Sequence, residues 1–298
     1  MMQMIFSSTL WLAVLAGFAW LSAGAQEPGD LPHLDEALAG PLQKLAADSN
    51  RAWVYVPADA GLGTNRQVWT WPINLSCVGM ASDGYQAVLV APDKLLTCAH
   101  YGGEKDQTIL FHDTNGVPWV AKVARVVNVS GDLCLSILSN RAPASIRLPA
   151  VFPPDAPEYL PHGDWTGLPA FWLHKNGIHG VPGGTIQYEP VFQYVQAHAA
   201  SGQNAWMQLR HNGWGPFGNG SSATGGDSGS PAFMDFSNTP VVLFATTAPG
   251  DATGEFISDP AIFSAMATKG LTNQMNILDL RGFHRYAGDA LLVNPPGD

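Results

Sequence analysis

Glycine and proline interrupt this chain at close intervals, 32 and 23 of them in 298 residues. Few stretches keep a helical apolar period for long. Proline removes a backbone donor and glycine admits backbone that other residues avoid, so short apolar runs between them read as strands joined by turns. In the first half such runs fall at 75–80, 86–90, 95–98, 108–111, 118–128 and 132–138. In the second half they fall at 171–174, 184–188, 191–197, 205–209, 231–234, 241–247 and 254–258. An apolar fraction of 46% is enough for a substantial core. The fold class is all-β.

Three of these runs border residues with chemistry. Leu95-Leu96-Thr97-Cys98-Ala99-His100 is an apolar strand ending at a histidine. Asp132-Leu133-Cys134-Leu135-Ser136-Ile137-Leu138 is an aspartate opening an apolar run. Gly225-Gly226-Asp227-Ser228-Gly229-Ser230-Pro231 places a serine on a glycine-rich turn. Successive amides on such a turn can form an anion-binding concavity. Acyl transfer needs a hydroxyl nucleophile, a base to activate it, a group to orient the base, and donors for the developing oxyanion. Each motif alone has a bland reading, as a surface turn, a rim histidine or a cap aspartate. Their order, with spacings of 32 and 96 residues, favours the chemical one.

Over roughly residues 72–280 the chain resembles the chymotrypsin/trypsin-like serine peptidases, whose triad runs His, Asp, Ser. The resemblance implies two antiparallel six-stranded β-barrels with the active site in the cleft between them, and a possible C-terminal helix within 261–280. It implies a first barrel over 72–145 and a second, with its linker, over 146–280; the proline-rich stretch 141–170 suits that linker. His100, Asp132 and Ser228 would be catalytic, and the amides of Gly226 and Ser228 would form the oxyanion hole. Ser222 would lie at the base of the primary pocket. Gly254 and Thr247 would line its walls, with Thr246 and Ala248 on the same wall strand. A neutral pocket base favours cleavage after large apolar or aromatic residues, although Asp251 or Glu255 could reach the pocket from a shorter loop. The resemblance calls for no cofactor and no metal.

Cys77, Cys98 and Cys134 are too few for a disulfide framework. Tyr101 and Thr224 stand where vertebrate digestive relatives carry cysteines. Cys98 and Cys134 lie two residues from His100 and Asp132, so either they are buried thiols near the floor of the site, or two of the three cysteines are bonded. His162, His174, His179, His198 and His211 lack metal-ligand spacing and read as surface or structural residues.

Residues 4–21 are apolar and end in Ser22-Ala23-Gly24-Ala25, which fits a signal peptide over 1–25 and an exported protein, secreted or periplasmic. The rival is an uncleaved anchor. Residues 26–71 read as a pro-segment or N-terminal extension. In it Leu34, Leu38, Leu42 and Leu45 fall at helical spacing interrupted by Gly40-Pro41, and 52–56 and 67–71 look like strands around the turn Gly61-Leu62-Gly63. Residues 281–298 form a tail. No Ile/Val-Val-Gly-Gly start follows Arg51 or Arg66, which points to an enzyme needing no freed N-terminus to pair with Asp227. A net charge of −10 without Lys/Arg runs gives no attraction to nucleic acid or anionic membrane. The expected partner is a polypeptide substrate met by a monomer that has no stable membrane association after signal cleavage. The alternatives are a catalytically silent binding protein on the same fold and a membrane-tethered interaction module.

Overall fold

The computed structural model describes residues 31–47, 55–58, 61–64, 66, 68–81, 84–101, 103–175, 188–199, 205–210, 223, 227–247 and 250–286. The signal-peptide reading, the strand start at 184–187 and the end of the tail lie outside them.

Helix α1 (Leu34–Ala47) comes first and packs across two later strands, Pro169–Lys175 and Pro231–Phe236. It runs through Pro41, where the sequence predicts an interruption. An internal proline costs about 3 kcal/mol. Leu34, Leu38 and Leu42 are all wholly buried on one stripe, and burial of such a side chain is worth roughly 1.5–3 kcal/mol each. The stripe outweighs the break.

A hairpin follows, β1 (Tyr55–Ala58) against β2 (Gly61–Thr64), so Gly61-Leu62-Gly63 is strand rather than turn. Residues 68–71, expected as strand, form turns instead, with Trp71 N donating to Val68 O and Ile73 N to Thr70 O. Trp69 leaves the turn to bury its ring edge-on to Phe171 and donate Nε1 to Pro190 O.

Six antiparallel strands then close into a barrel: β3 (Val78–Ala81), β4 (Gln86–Ala91), β5 (Lys94–Cys98), β6 (Thr108–His112), β7 (Pro118–Ser130) and β8 (Leu133–Leu138). The order around it is β3-β4-β5-β8-β7-β6. Every residue of β4 and β5 is buried. One face of this pair fills the barrel and the other meets Phe171, Leu173 and Phe233 of the second unit in a shared core. β7, on the outer side, alternates instead, Ala121 and Val123 inward and Lys122 outward.

The second unit is a curled eight-stranded sheet. Six antiparallel strands make most of it: β10 (Pro169–Lys175), β11 (Tyr188–Ala199), β12 (Trp206–Arg210), β13 (Pro231–Phe236), β14 (Thr239–Ala245) and β15 (Ala252–Glu255). The six-strand expectation is extended at the β14 edge by β9 (Ala150–Val151), from the linker, and β16 (Asn276–Ile277), both two-residue parallel additions. The curl brings β15 back toward β14: Thr247 N donates to Thr253 O and Ile257 N to Leu243 O.

Helix α2 (Pro260–Thr268) occupies part of the expected C-terminal helix. Asp259 caps it through Ala261 N and Ile262 N, and Pro260 sits at the position that needs no donor. Residues 284–286 meet the segment just before α1, where His284 N donates to Pro32 O and the Tyr286 hydroxyl meets His33 Nδ1 at 2.5 Å.

Candidate active site

Strand register brings the first two motif residues together. β5 pairs with β8 so that Cys98 opposes Leu133. The residue range just after Cys98 and the residue just before Leu133 therefore leave the barrel at the same end. A short helical turn, Ala99–Tyr101, carries His100 there. Asp132 closes the β7–β8 turn, its carbonyl accepting from Ala99 N at 2.6 Å.

The carboxylate of Asp132 holds the histidine at two points. Oδ1 accepts from the His100 amide at 2.9 Å, and Oδ2 lies 2.6 Å from His100 Nδ1. A carboxylate only accepts, so Nδ1 donates, and in the neutral ring Nε2 then carries the lone pair. That lone pair faces Ser228 Oγ at 3.0 Å. His100 remains 40% exposed at its side chain, open to an incoming group.

Ser228 occupies the corner of a tight turn, with Ser230 N donating to Asp227 O at 2.9 Å. Gly229 takes φ +85°, the left-handed conformation such a turn requires at its third residue. A Cβ on Gly229 would also run into Gln86 O and stand 2.9 Å from Thr97 Oγ1. From β4, Gln86 Nε2 reaches across to Ser230 Oγ at 2.7 Å and Leu173 O at 3.2 Å. The Ser228 turn is thereby fastened to the barrel that carries His100.

Two supports escaped the sequence reading. The Asp227 carboxylate, 1% exposed, turns inward to His174 Nδ1 at 3.0 Å. His174 thus has a structural role on β10, edge-on to Trp172. Nothing local in the sequence marks this pairing, because the burial that makes Asp227 need a partner appears only in the fold. The second is Glu255, wholly buried, whose Oε2 accepts from Asp132 N and Oε1 from Ser130 Oγ, each at 2.9 Å.

Glu255 is therefore directed at the aspartate turn rather than into a substrate pocket. Asp251 is likewise engaged, with Arg210 Nε at 2.6 Å and Gln208 Nε2 at 2.8 Å. Thr247, predicted to line the pocket, is nearly buried, and its hydroxyl donates to Thr253 O at 3.1 Å. Gly254 meets a need besides the expected one. A Cβ there would collide with Ala245 O and the Phe244 ring, so the glycine lets β15 lie against β14. Ser222, Ala248 and Gly226 lie outside the described residues.

The three cysteines are free and buried. Cys98 Sγ lies 4.0 Å from His100 Nε2, and Cys134 donates to Cys98 O at 3.6 Å. Burial, reinforced by the Asp132 charge, pushes the Cys98 and Cys134 thiols up to about 12. Both stay protonated and inert beside the site. Where relatives of the resembled type carry a cysteine, Tyr101 stacks on Tyr85 at 4.0 Å and tilts against the His100 ring.

No protein-family model matches the chain, and no curated protein matches it significantly.

Proposed function

We propose that the protein is a serine hydrolase of the chymotrypsin-like type, an endopeptidase acting through Ser228, His100 and Asp132. One observation carries the reading: Asp132 Oδ2, His100 Nδ1, His100 Nε2 and Ser228 Oγ form a continuous hydrogen-bonded line of 2.6 and 3.0 Å. The closed barrel beside a curled antiparallel sheet supports it, since it sets the three residues at the junction of two units.

In the proposed reaction Ser228 Oγ attacks the substrate carbonyl as its proton passes to His100 Nε2. The imidazolium that forms is stabilised by Asp132, which fixes the tautomer throughout. The amides of Ser228 and Gly226 would take the oxyanion, a donor pair of which each member is worth on the order of 3 kcal/mol in the transition state. Nε2 then returns its proton to the departing amine, leaving an acyl-serine. Water, deprotonated at the same nitrogen, hydrolyses that ester and restores the hydroxyl.

The apolar segment ending Ala23-Gly24-Ala25 supports export, with cleavage after Ala25. The buried leucines of α1 support an extension that stays with the mature enzyme. Cleavage of a peptide library by the wild type, absent with Ser228→Ala, tests the reading. Equal cleavage by both proteins would remove it, and a correctly folded wild type that cleaves nothing would favour a silent binding protein.

A further inference from the structure

Glu255 is a carboxylate placed where a β-strand would ordinarily bury an apolar side chain. It is wholly buried, flanked by Gly254 against β14 and by Phe256, whose ring packs on Trp165. Its strand is fixed on the other side as well, through the pairing of Glu255 with Trp206 and the bond from Phe256 N to Ala205 O. A buried acid held this firmly is costly unless its oxygens are hydrogen-bonded. Both are, and both bonds leave the sheet that carries Glu255. They end on Ser130 and Asp132, the two sides of the β7–β8 turn in the other barrel.

Asp132 is consequently held at every polar group it has. Its amide donates to Glu255, its carbonyl accepts from Ala99, and its carboxylate oxygens go to the amide and the ring of His100. Only the Glu255 contact comes from the unit that also carries Ser228. We propose that Glu255 is a positioning residue for the triad, locking the Asp132 turn to the second sheet so that the His100 ring keeps its line to Ser228. The inference rests on the acyl-transfer reading of that line and adds a fourth residue, acting through Asp132.

Glutamine separates geometry from charge here. Its amide oxygen can accept from Asp132 N while its NH2 donates to Ser130 Oγ. Alanine removes both acceptor oxygens. The test compares Glu255→Ala, Glu255→Gln and wild type by peptide turnover and by the far-downfield proton NMR signal of the His100 Nδ1–H bonded to Asp132. Glu255→Ala is expected to lose kcat on the order of 10²-fold, the scale of a misplaced catalytic group. KM should hold, and the downfield proton should broaden away while the circular dichroism stays native. Glu255→Gln should keep the proton and most of kcat. Should Glu255→Ala fail to fold, Glu255→Met, which fills similar volume without an acceptor, carries the same expectation. A sharp wild-type downfield proton in a folded acceptor-free variant overturns the proposal. A wild type with that proton but no turnover would instead count against acyl transfer, and the NMR comparison would still decide the role of Glu255.

Discussion

His174 Nδ1 stands 3.0 Å from the carboxylate of Asp227, both side chains at most one-tenth exposed, directly beneath the turn that carries Ser228. Removing one member of a buried hydrogen-bonded pair costs about 1–3 kcal/mol. His174→Ala should therefore lower the melting temperature and, by loosening the Asp227–Ser230 turn, reduce kcat more than KM is raised. His174→Gln, which retains a donor, should recover much of both. His174 gives the Asp227 carboxylate a partner from within the sheet, so that pairing needs no freed N-terminal ammonium. N-terminal sequencing of active protein should accordingly find a start before Leu34, and a start within 52–75 with inactive longer forms would refute this.

Gly254→Ala separates two roles for that residue. If the glycine only keeps a substrate slot open, the variant folds normally and loses the largest substrates. The collision with Ala245 O and Phe244 predicts instead a loss of stability of about 1–3 kcal/mol, the usual range for overpacking. Denaturant unfolding of the variant distinguishes the two outcomes.

Asp235 lies wholly buried on β13, and burial pushes its carboxyl up to about 6 against a smaller opposing pull from the Asn238 amide. Unfolded, it would titrate near 3.8. Between these values the native state binds more protons than the unfolded chain, so stability falls as pH rises through this window and levels off above it. Asp235→Asn should be more stable than wild type at pH 7. Its advantage should shrink as pH is lowered from about 6 toward about 4. An advantage independent of pH would contradict the assignment.

Substrate preference follows from what the nearby acids are doing. Glu255 is committed to Asp132 and Ser130, and Asp251 to Arg210 and Gln208. Glu255 is buried with both oxygens engaged, Asp251 is already neutralised by Arg210, and Ser222, the expected pocket base, carries only a hydroxyl. Chromogenic peptides differing only before the scissile bond should turn over faster with Phe, Tyr, Leu or Met than with Arg, Lys or Glu. A faster Arg member would show that a carboxylate reaches the pocket after all.

Residues carried by local turn chemistry were legible in the sequence. His100, Asp132 and Ser228 each adjoin a strand whose register follows from its apolar run, and Gly229 announces a turn by itself. His174 and Glu255 were not, because each is a single polar residue inside a strand whose partner lies 53 or 123 residues away. No local pattern encodes such pairings. α1 was visible as a leucine stripe, but its passage through Pro41 depends on burial against β10 and β13. The hairpin at 55–64 was misread because glycines at 61 and 63 suggest a turn, whereas pairing with 55–58 holds them extended. β9 and β16 span two residues each, too short for any periodicity.

Labelling with a fluorophosphonate tests the line from Asp132 to Ser228 most directly, since the reagent requires an activated serine rather than a known substrate. Peptide mapping of the labelled protein should place about one equivalent on Ser228. The label should be absent from Ser228→Ala and slowed by orders of magnitude in His100→Ala. An unlabelled Ser228 in folded wild type, or labelling equally fast without His100, would contradict the assignment of this line as a catalytic triad.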